Sequence, residues 1–66
     1  MKNIVKVQRA ILDITQAELA ERISVSRQTI NAIESNKYVP STILALKIAK
    51  VFETTVDAIF TLEPGD

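Results

Sequence analysis

Apolar residues recur at helical spacing through most of the chain. Positions three and four residues apart are repeatedly apolar, whereas no segment alternates apolar and polar residues with period 2 between turn residues. The pattern predicts five short helices, at about residues 3–12, 16–23, 27–35, 42–53 and 56–60. Because only brief loops join them and no strand is predicted, the expected fold class is all-α.

Residues that favour helix ends mark several of these boundaries. Thr15 and Glu18 have the spacing of a capping box, in which each side chain accepts a hydrogen bond from the other residue's backbone amide. The predicted N-caps of the later helices are Ser26, Ser41 and Thr55. Asn36 is expected to end the third helix in a left-handed conformation. Residues 61–66 have no internal reason to be ordered, so this tail is expected to be flexible or fixed by a second chain.

Length and composition limit the classes of function. A chain of 66 residues forms one small domain and leaves no room for a separate catalytic lobe. It contains no Cys and no His, which excludes disulfides, thiolate chemistry, Cys/His zinc sites and Ser-His pairs. Glu18 and Glu21 share a helix face, but surface carboxylates without a cleft are ordinarily solvated. No enzyme activity, metal or cofactor is therefore predicted.

Charge is unevenly distributed although the net charge is zero. Residues 1–40 carry six basic and four acidic side chains (six minus four, or +2), and residues 41–66 carry two basic and four acidic ones (two minus four, or −2). A polyanion would therefore bind the N-terminal part of the chain. The apolar runs are much shorter than the roughly 18 residues of a membrane span, so a cytoplasmic protein without membrane contact is expected.

The predicted third helix has one apolar and one polar face. At 100° per residue, Arg27, Gln28 and Asn31 fall within about 100° of one another, and Ile30 and Ile33 lie on the opposite side. Arg, Gln and Asn can form paired hydrogen bonds with guanine and adenine edges in the major groove. The polar face is therefore a candidate for reading DNA sequence.

The apolar surface exceeds what five short helices can bury around one core. A homodimer explains the surplus most simply, because small domains without disulfides or metals often gain stability by assembly. The predicted interface, in the C-terminal third, consists of Leu44, Val51, Phe60 and Leu62. A different protein partner, which the sequence does not identify, would explain the same surplus. A protein-interaction module is thus the alternative to a DNA-binding protein.

Several segments resemble the helix-turn-helix of the Cro/CI-type (Xre) family of bacterial, archaeal and phage regulators. They are Thr15–Ala20, Val25–Ile30 and Ile33–Glu34, followed by Tyr38–Ser41 and Leu44–Ala49. The segments occur in the family's order and spacing, and the resemblance covers roughly residues 5–60. Ser24 and Asp13 stand where the family often has glycine, so left-handed backbone is expected there.

The resemblance implies a lambda-repressor-like DNA-binding domain over residues 1–66, with the helix-turn-helix as the second and third helices. It also implies a sequence-specific transcriptional regulator that occupies a palindromic operator on double-stranded DNA as a dimer, with repression favoured over activation. Small members of the family also serve as antitoxins that repress their own operons. An antitoxin-like role is the form that the protein-interaction alternative takes.

The polar face and the resemblance together give the predicted site residues. The base-reading residues are Arg27, Gln28 and Asn31, and the contacts to the DNA backbone are Gln16, Thr29, Asn36, Lys37 and Tyr38. For Tyr38, a ring packed on the core is an equally good interpretation. The resemblance further implies a structural ion pair between Arg9 and Glu34, which would orient the third helix.

Overall fold

Five helices form where the apolar pattern predicts them. The computed structural model describes all 66 residues. Its elements are β1 (Lys2–Asn3), α1 (Val5–Leu12), α2 (Gln16–Arg22), α3 (Arg27–Glu34), α4 (Thr42–Val51), α5 (Val56–Ile59) and β2 (Phe60–Thr61). The predicted all-α class is confirmed, with one short sheet added to it. None of the helices is long and apolar enough to cross a bilayer.

Side-chain caps fix the starts of three helices. Thr15 and Glu18 form the predicted capping box at α2. The hydroxyls of Ser26 and Ser41 accept hydrogen bonds from the third amide of α3 and of α4. Thr55 occupies the N-cap position of α5, but its side chain accepts no hydrogen bond from the helix. The predicted starts are therefore confirmed, and only the last of them lacks a side-chain cap.

Four helices end on a left-handed residue that is not glycine. These residues are Asp13, Ser24, Asn36 and Glu53, with φ angles of 56°, 59°, 61° and 53°. In each case the left-handed residue and the one after it donate their amides to carbonyls of the last helical turn, as in a Schellman motif. The left-handed backbone expected at Asp13, Ser24 and Asn36 is confirmed, and Glu53 adds a fourth example.

The two ends of the chain pair as strands, which the apolar pattern did not predict. β1 and β2 are antiparallel, with Lys2 opposite Thr61 and Asn3 opposite Phe60. The amide of Ile4 extends the pairing by donating to the Ile59 carbonyl at 3.0 Å. Each strand has two residues, which is too short to display a period-2 alternation.

The tail beyond β2 is held by contacts within the chain, so the expectation that it lacks an internal reason for order was wrong. The α-ammonium group of Met1 lies 3.1 Å from a carboxylate oxygen of Glu63 and 3.0 Å from one of Asp66. The backbone amide of Glu63 also donates to the Asp66 carboxylate at 2.7 Å. These contacts fold the tail back against the first residue.

The core is entirely apolar and draws on every helix. Its largest fully buried side chains are Val5, Leu19, Ile30, Ile33, Ile48 and Ile59, and no polar or charged residue is buried. Ala20 is buried in α2, the helix that packs against α3, and its small side chain permits a close crossing. α2 and α3 are therefore held together by side chains that face away from the polar surface of α3.

Two of the four predicted dimer residues belong to this core. Leu44 and Phe60 are only 8% and 7% exposed, because α4 and β2 turn them inward. Their assignment to a dimer surface was therefore wrong for the folded monomer. Val51 is half-buried and packs against the core, whereas Leu62 is exposed. Other large apolar side chains lie on the surface, among them Ile4, Val7, Ile11, Val39, Ile43 and Leu46.

Candidate nucleic-acid interface

The polar face of α3 lies on the surface of the molecule. Arg27, Gln28 and Asn31 are all exposed, while Ile30 and Ile33 on the other side of the helix are buried. None of the three polar side chains takes part in an ion pair or a hydrogen bond within the chain. Their donors and acceptors are therefore free to bind another molecule.

The N-terminus of α3 is closed by two hydroxyl groups. Ser26 accepts a hydrogen bond from the Thr29 amide at 3.2 Å, and the two hydroxyl oxygens lie 3.0 Å apart. Thr29 is half-buried. Its hydroxyl is engaged within the cap, so a contact from Thr29 to a DNA backbone would have to share or replace this hydrogen bond.

Arg9 and Glu34 form a two-point ion pair between α1 and the end of α3. The Arg9 Nε lies 2.6 Å from Glu34 Oε2, and Nη2 lies 3.0 Å from Oε1. Arg9 Nη1 donates to the Ile14 carbonyl at 3.1 Å. The side chains are only 14% and 7% exposed, so water screens the pair weakly.

Gln16 joins this ion pair from the start of α2. Its Nε2 donates to Glu34 Oε1 at 3.1 Å, which uses one of its two amide hydrogens. Burial of Glu34 opposes its charged form, but the hydrogen bonds from Arg9 and Gln16 outweigh burial and lower the pKa of the carboxyl. The hydrogen bond from Glu34 in turn raises the pKa of Arg9. Glu34 is thus a permanent anion held by residues of both α1 and α2.

The loop after α3 carries three predicted backbone contacts. Asn36 is left-handed, and its Oδ1 accepts a hydrogen bond from Asn3 Nδ2 at 3.1 Å. Lys37 is exposed and forms no ion pair. Tyr38 is 45% exposed, and it lines a shallow groove together with Gln28. The Tyr38 ring is thus outside the core, beside a predicted base-reading residue.

Asn3 has a role in the site that the sequence analysis missed. Its Nδ2 donates to the Ile33 carbonyl at 2.9 Å as well as to Asn36, and its Oδ1 accepts from the Val5 amide at 3.2 Å. Asn3 therefore connects β1 and the start of α1 to the end of α3. A lone Asn before an apolar helix has no sequence pattern that would single it out, because its partners lie 30 residues away.

Nothing in the structure points to a metal site, since no three Asp or Glu residues are grouped closely enough to hold an ion. The polar surface instead combines amide, hydroxyl, ammonium and guanidinium groups around α3. Groups of this kind bind base edges and phosphates in protein–DNA complexes.

Comparisons with known proteins agree with this geometry. Residues 5–59 match the family model described as helix-turn-helix. The chain is 52% identical to an uncharacterized HTH-type transcriptional regulator of Methanocaldococcus jannaschii, over 66 residues and the whole of both chains. It is 49% identical over 63 residues to the uncharacterized HTH-type transcriptional regulator YgzD of Bacillus subtilis, covering 96% of both chains. An uncharacterized HTH-type transcriptional regulator of Archaeoglobus fulgidus is 44% identical over 96% of this chain and 89% of its own.

The family match spans five helices of the structure and places α2 and α3 as its helix-turn-helix. These residues are the ones that carried the resemblance in the sequence. The chain therefore belongs to the Cro/CI-type (Xre) family of helix-turn-helix transcriptional regulators, a class of DNA-binding proteins.

Proposed function

We propose that this protein is a sequence-specific DNA-binding repressor that acts as a homodimer on a palindromic operator. The observation that carries the proposal is the free polar face of α3. Arg27, Gln28 and Asn31 project from a helix that is fixed at its start by Ser26 and at its end by Arg9 and Asn3. A rigid helix with unengaged base-reading side chains suits the major groove.

The residues around α3 supply contacts to the DNA backbone in this proposal. Lys37 and Tyr38 follow the helix and would hold the strand that flanks the groove. Asn36 contributes its remaining acceptor and donors, and Gln16 contributes the amide hydrogen that Glu34 leaves free. Thr29 is the least available of the predicted contacts, because its hydroxyl lies in the α3 cap.

Dimerisation rests on the apolar surface that the fold leaves uncovered. With Leu44 and Phe60 in the core, the dimer surface we propose keeps Val51 and Leu62 and gains the exposed Leu46. Two-fold symmetry would place two copies of α3 in successive major grooves, roughly 34 Å apart, as in dimeric helix-turn-helix proteins. A dimer covering a promoter would repress by occupying the site.

Binding to DNA can be tested by selecting sites from a random pool and measuring affinity by fluorescence anisotropy. Gln28→Ala should cost roughly 1–3 kcal/mol on the selected site and little on random DNA, because base contacts carry the specificity. Lys37→Ala should weaken binding to both DNAs alike, since phosphates are the same in every sequence. Unchanged sequence preference in Gln28→Ala would refute α3 as the reading element.

The exposed apolar residues of α1 favour a second candidate, an antitoxin-like module whose main partner is a protein. Ile4, Val7 and Ile11 lie on the outer surface of α1, and Ile11 is 69% exposed. A partner bound there would leave α3 free. Ile11→Lys should abolish such binding while leaving DNA affinity within about threefold, an estimate that allows for the added charge.

A further inference from the structure

Lys6 of α1 lies beside the polar face of α3, at a position that the predicted DNA contacts do not include. It precedes Arg9 by three residues, so the two side chains are neighbours on the helix. Arg9 is bound to Glu34 at the end of α3, and Asn3 is bound to Ile33 and Asn36 beyond it. Lys6 therefore lies on the part of α1 that is held against the C-terminal half of α3.

A shallow polar depression of about 220 Å³ opens at this junction, and we call it the α1–α3 slot. No apolar side chain lines it; its residues are Lys6, Arg9, Gln16, Asn31, Glu34 and Ser35. Asn31 is also one of the proposed base-reading residues. The slot is thus continuous with the surface that faces DNA.

The charge of Lys6 is not used by the fold. Lys6 is exposed and forms no ion pair, because both oxygens of the nearest carboxylate, Glu34, are occupied by Arg9 and Gln16. Within the slot, Lys6 and Arg9 stand against Glu34 alone (two minus one, or +1). The surplus is one positive charge on a flexible side chain.

Hydrogen-bond donors around the slot are also available. Gln16 keeps one free amide hydrogen, and the Asn31 amide donates to no group within the chain. A cation with neutral amide donors beside it is the arrangement that binds a phosphate oxygen.

We propose that the α1–α3 slot binds a phosphodiester of the DNA backbone through the ammonium group of Lys6. This inference rests on the proposed function and adds a contact from α1, whereas the predicted backbone contacts come from α2, α3 and the loop after α3. The phosphate bound by Lys6 flanks the groove on the α1 side of the reading helix, and Lys37 holds the backbone from the loop.

The test is the salt dependence of DNA binding in Lys6→Gln, compared with Lys50→Gln as a control of equal charge change. Lys50 is exposed near the end of α4 and lines a groove between α4 and α5, away from the slot. One lost phosphate contact lowers the slope of log affinity against log salt by about 0.9. That change corresponds to roughly eightfold weaker binding at about 0.1 M salt.

We expect Lys6→Gln to show this loss equally on selected and random DNA, with no change in the free energy of unfolding measured in urea. Lys6→Arg should restore the wild-type slope, because a guanidinium also binds phosphate. Lys50→Gln should leave the slope within experimental error. A shared small loss in both Gln variants would show only long-range charge and would overturn the proposal.

Two further outcomes separate this inference from the proposed function. A normal slope together with a lower unfolding free energy in Lys6→Gln would overturn the proposal, because Lys6 would then act on the fold through Glu34. Loss of preference in Gln28→Ala alongside an unchanged slope in Lys6→Gln would support the proposed function and refute the slot. Failure of the wild-type protein to bind any DNA would refute both.

Discussion

Left-handed residues at the helix ends store strain that glycine would remove. Asp13, Ser24, Asn36 and Glu53 each carry a Cβ atom in a conformation that costs an ordinary residue roughly 1–2 kcal/mol. Asn tolerates this conformation better than Ser or Glu. The cost is offset by the hydrogen bonds of the four Schellman motifs, which stop the helices at fixed points.

Glu53→Gly should therefore stabilise the fold by about 0.5–1 kcal/mol, the strain removed less the added entropy of the unfolded chain. Urea unfolding monitored by circular dichroism measures the change. Thr54→Gly is the matched control, because Thr54 is the exposed neighbour without a positive φ and gains only the entropy cost. Equal destabilisation by the two substitutions would contradict the strain at Glu53.

The Arg9–Glu34 pair makes stability depend on pH. Although burial opposes the charged form of Glu34, hydrogen bonds from Arg9 and Gln16 outweigh it and depress the pKa of Glu34. The unfolded chain therefore takes up a proton at a higher pH than the folded one. The contribution of Glu34 to stability is complete above the unfolded-state value of 4.5, and it is lost as the pH falls through the lower folded value.

We expect Glu34→Gln to be less stable than wild type at about pH 7 and to lose less stability on acidification to about pH 3. Urea titrations at the two pH values give the four free energies needed. Glu21→Gln serves as control, since Glu21 is exposed and forms no ion pair, and it should follow wild type. Parallel acid losses in wild type and Glu34→Gln would contradict the assigned role of the pair.

α3 is fixed by contacts at both ends, and the contacts at its C-terminal end come from elements distant in sequence. Ser26 caps its start locally, whereas Asn3, Arg9 and Gln16 reach its end from β1, α1 and α2. The free polar face is thus presented by a helix whose axis is held by hydrogen bonds to the rest of the domain.

Asn3→Ala should loosen the C-terminal end of α3 and cost about 1–2 kcal/mol of stability, because it leaves the Ile33 carbonyl and the Val5 amide without their partner. Hydrogen exchange should accelerate at Asn36 and Lys37 more than at the buried centre of α4. Lys2→Ala, in the same strand but exposed, should leave exchange at these positions unchanged. Uniform acceleration in Asn3→Ala would indicate global destabilisation instead.

The sequence predicted the helices well because each spans two or more turns and repeats its apolar positions. Ser26 and Ser41 marked their starts, since a cap depends on residues within one turn. The β1–β2 sheet was missed because two-residue strands have no periodicity. Gln16 was predicted to contact phosphate, but its hydrogen bond to Glu34 joins residues 18 apart and depends on how α2 packs against α3.

The surplus of apolar residues was also visible in the sequence, but its position was not. Leu44 and Phe60 are indistinguishable from exposed residues by residue type, and only the packing of α4 and β2 decides that they face inward. Leu46, two residues after Leu44, is 56% exposed. Fold class therefore follows from pattern, whereas an assembly surface follows from tertiary packing.

The whole molecule presents DNA-binding groups on one side and a shallow apolar groove elsewhere. The groove has a volume of about 410 Å³, and it is lined by Leu46 together with Val39, Val56 and other apolar residues. A partner copy that inserts Leu46 into this groove would bury the exposed side chains of both chains. Such a contact is self-complementary, as two-fold symmetry requires.

Leu46→Glu should weaken this dimer by at least tenfold, because it would place a carboxylate in an apolar contact. Sedimentation equilibrium at micromolar concentration should show a species of twice 7.3 kDa for wild type and a shift to the monomer for the variant. Ile11→Glu, an equally drastic change on α1, should leave the dimer intact. A wild-type protein that remains monomeric with and without DNA would refute dimerisation.

The antiparallel pairing of β1 with β2 makes covalent tandems of this domain feasible. Since Lys2 lies opposite Thr61, a peptide attached at one end leaves the molecule beside the other end. A flexible Gly/Ser linker can therefore join the end of one copy to the start of a second, with a length chosen only by the separation of the two copies. The copies would then meet at a millimolar effective concentration however dilute the sample, and operator affinity would cease to depend on protein assembly.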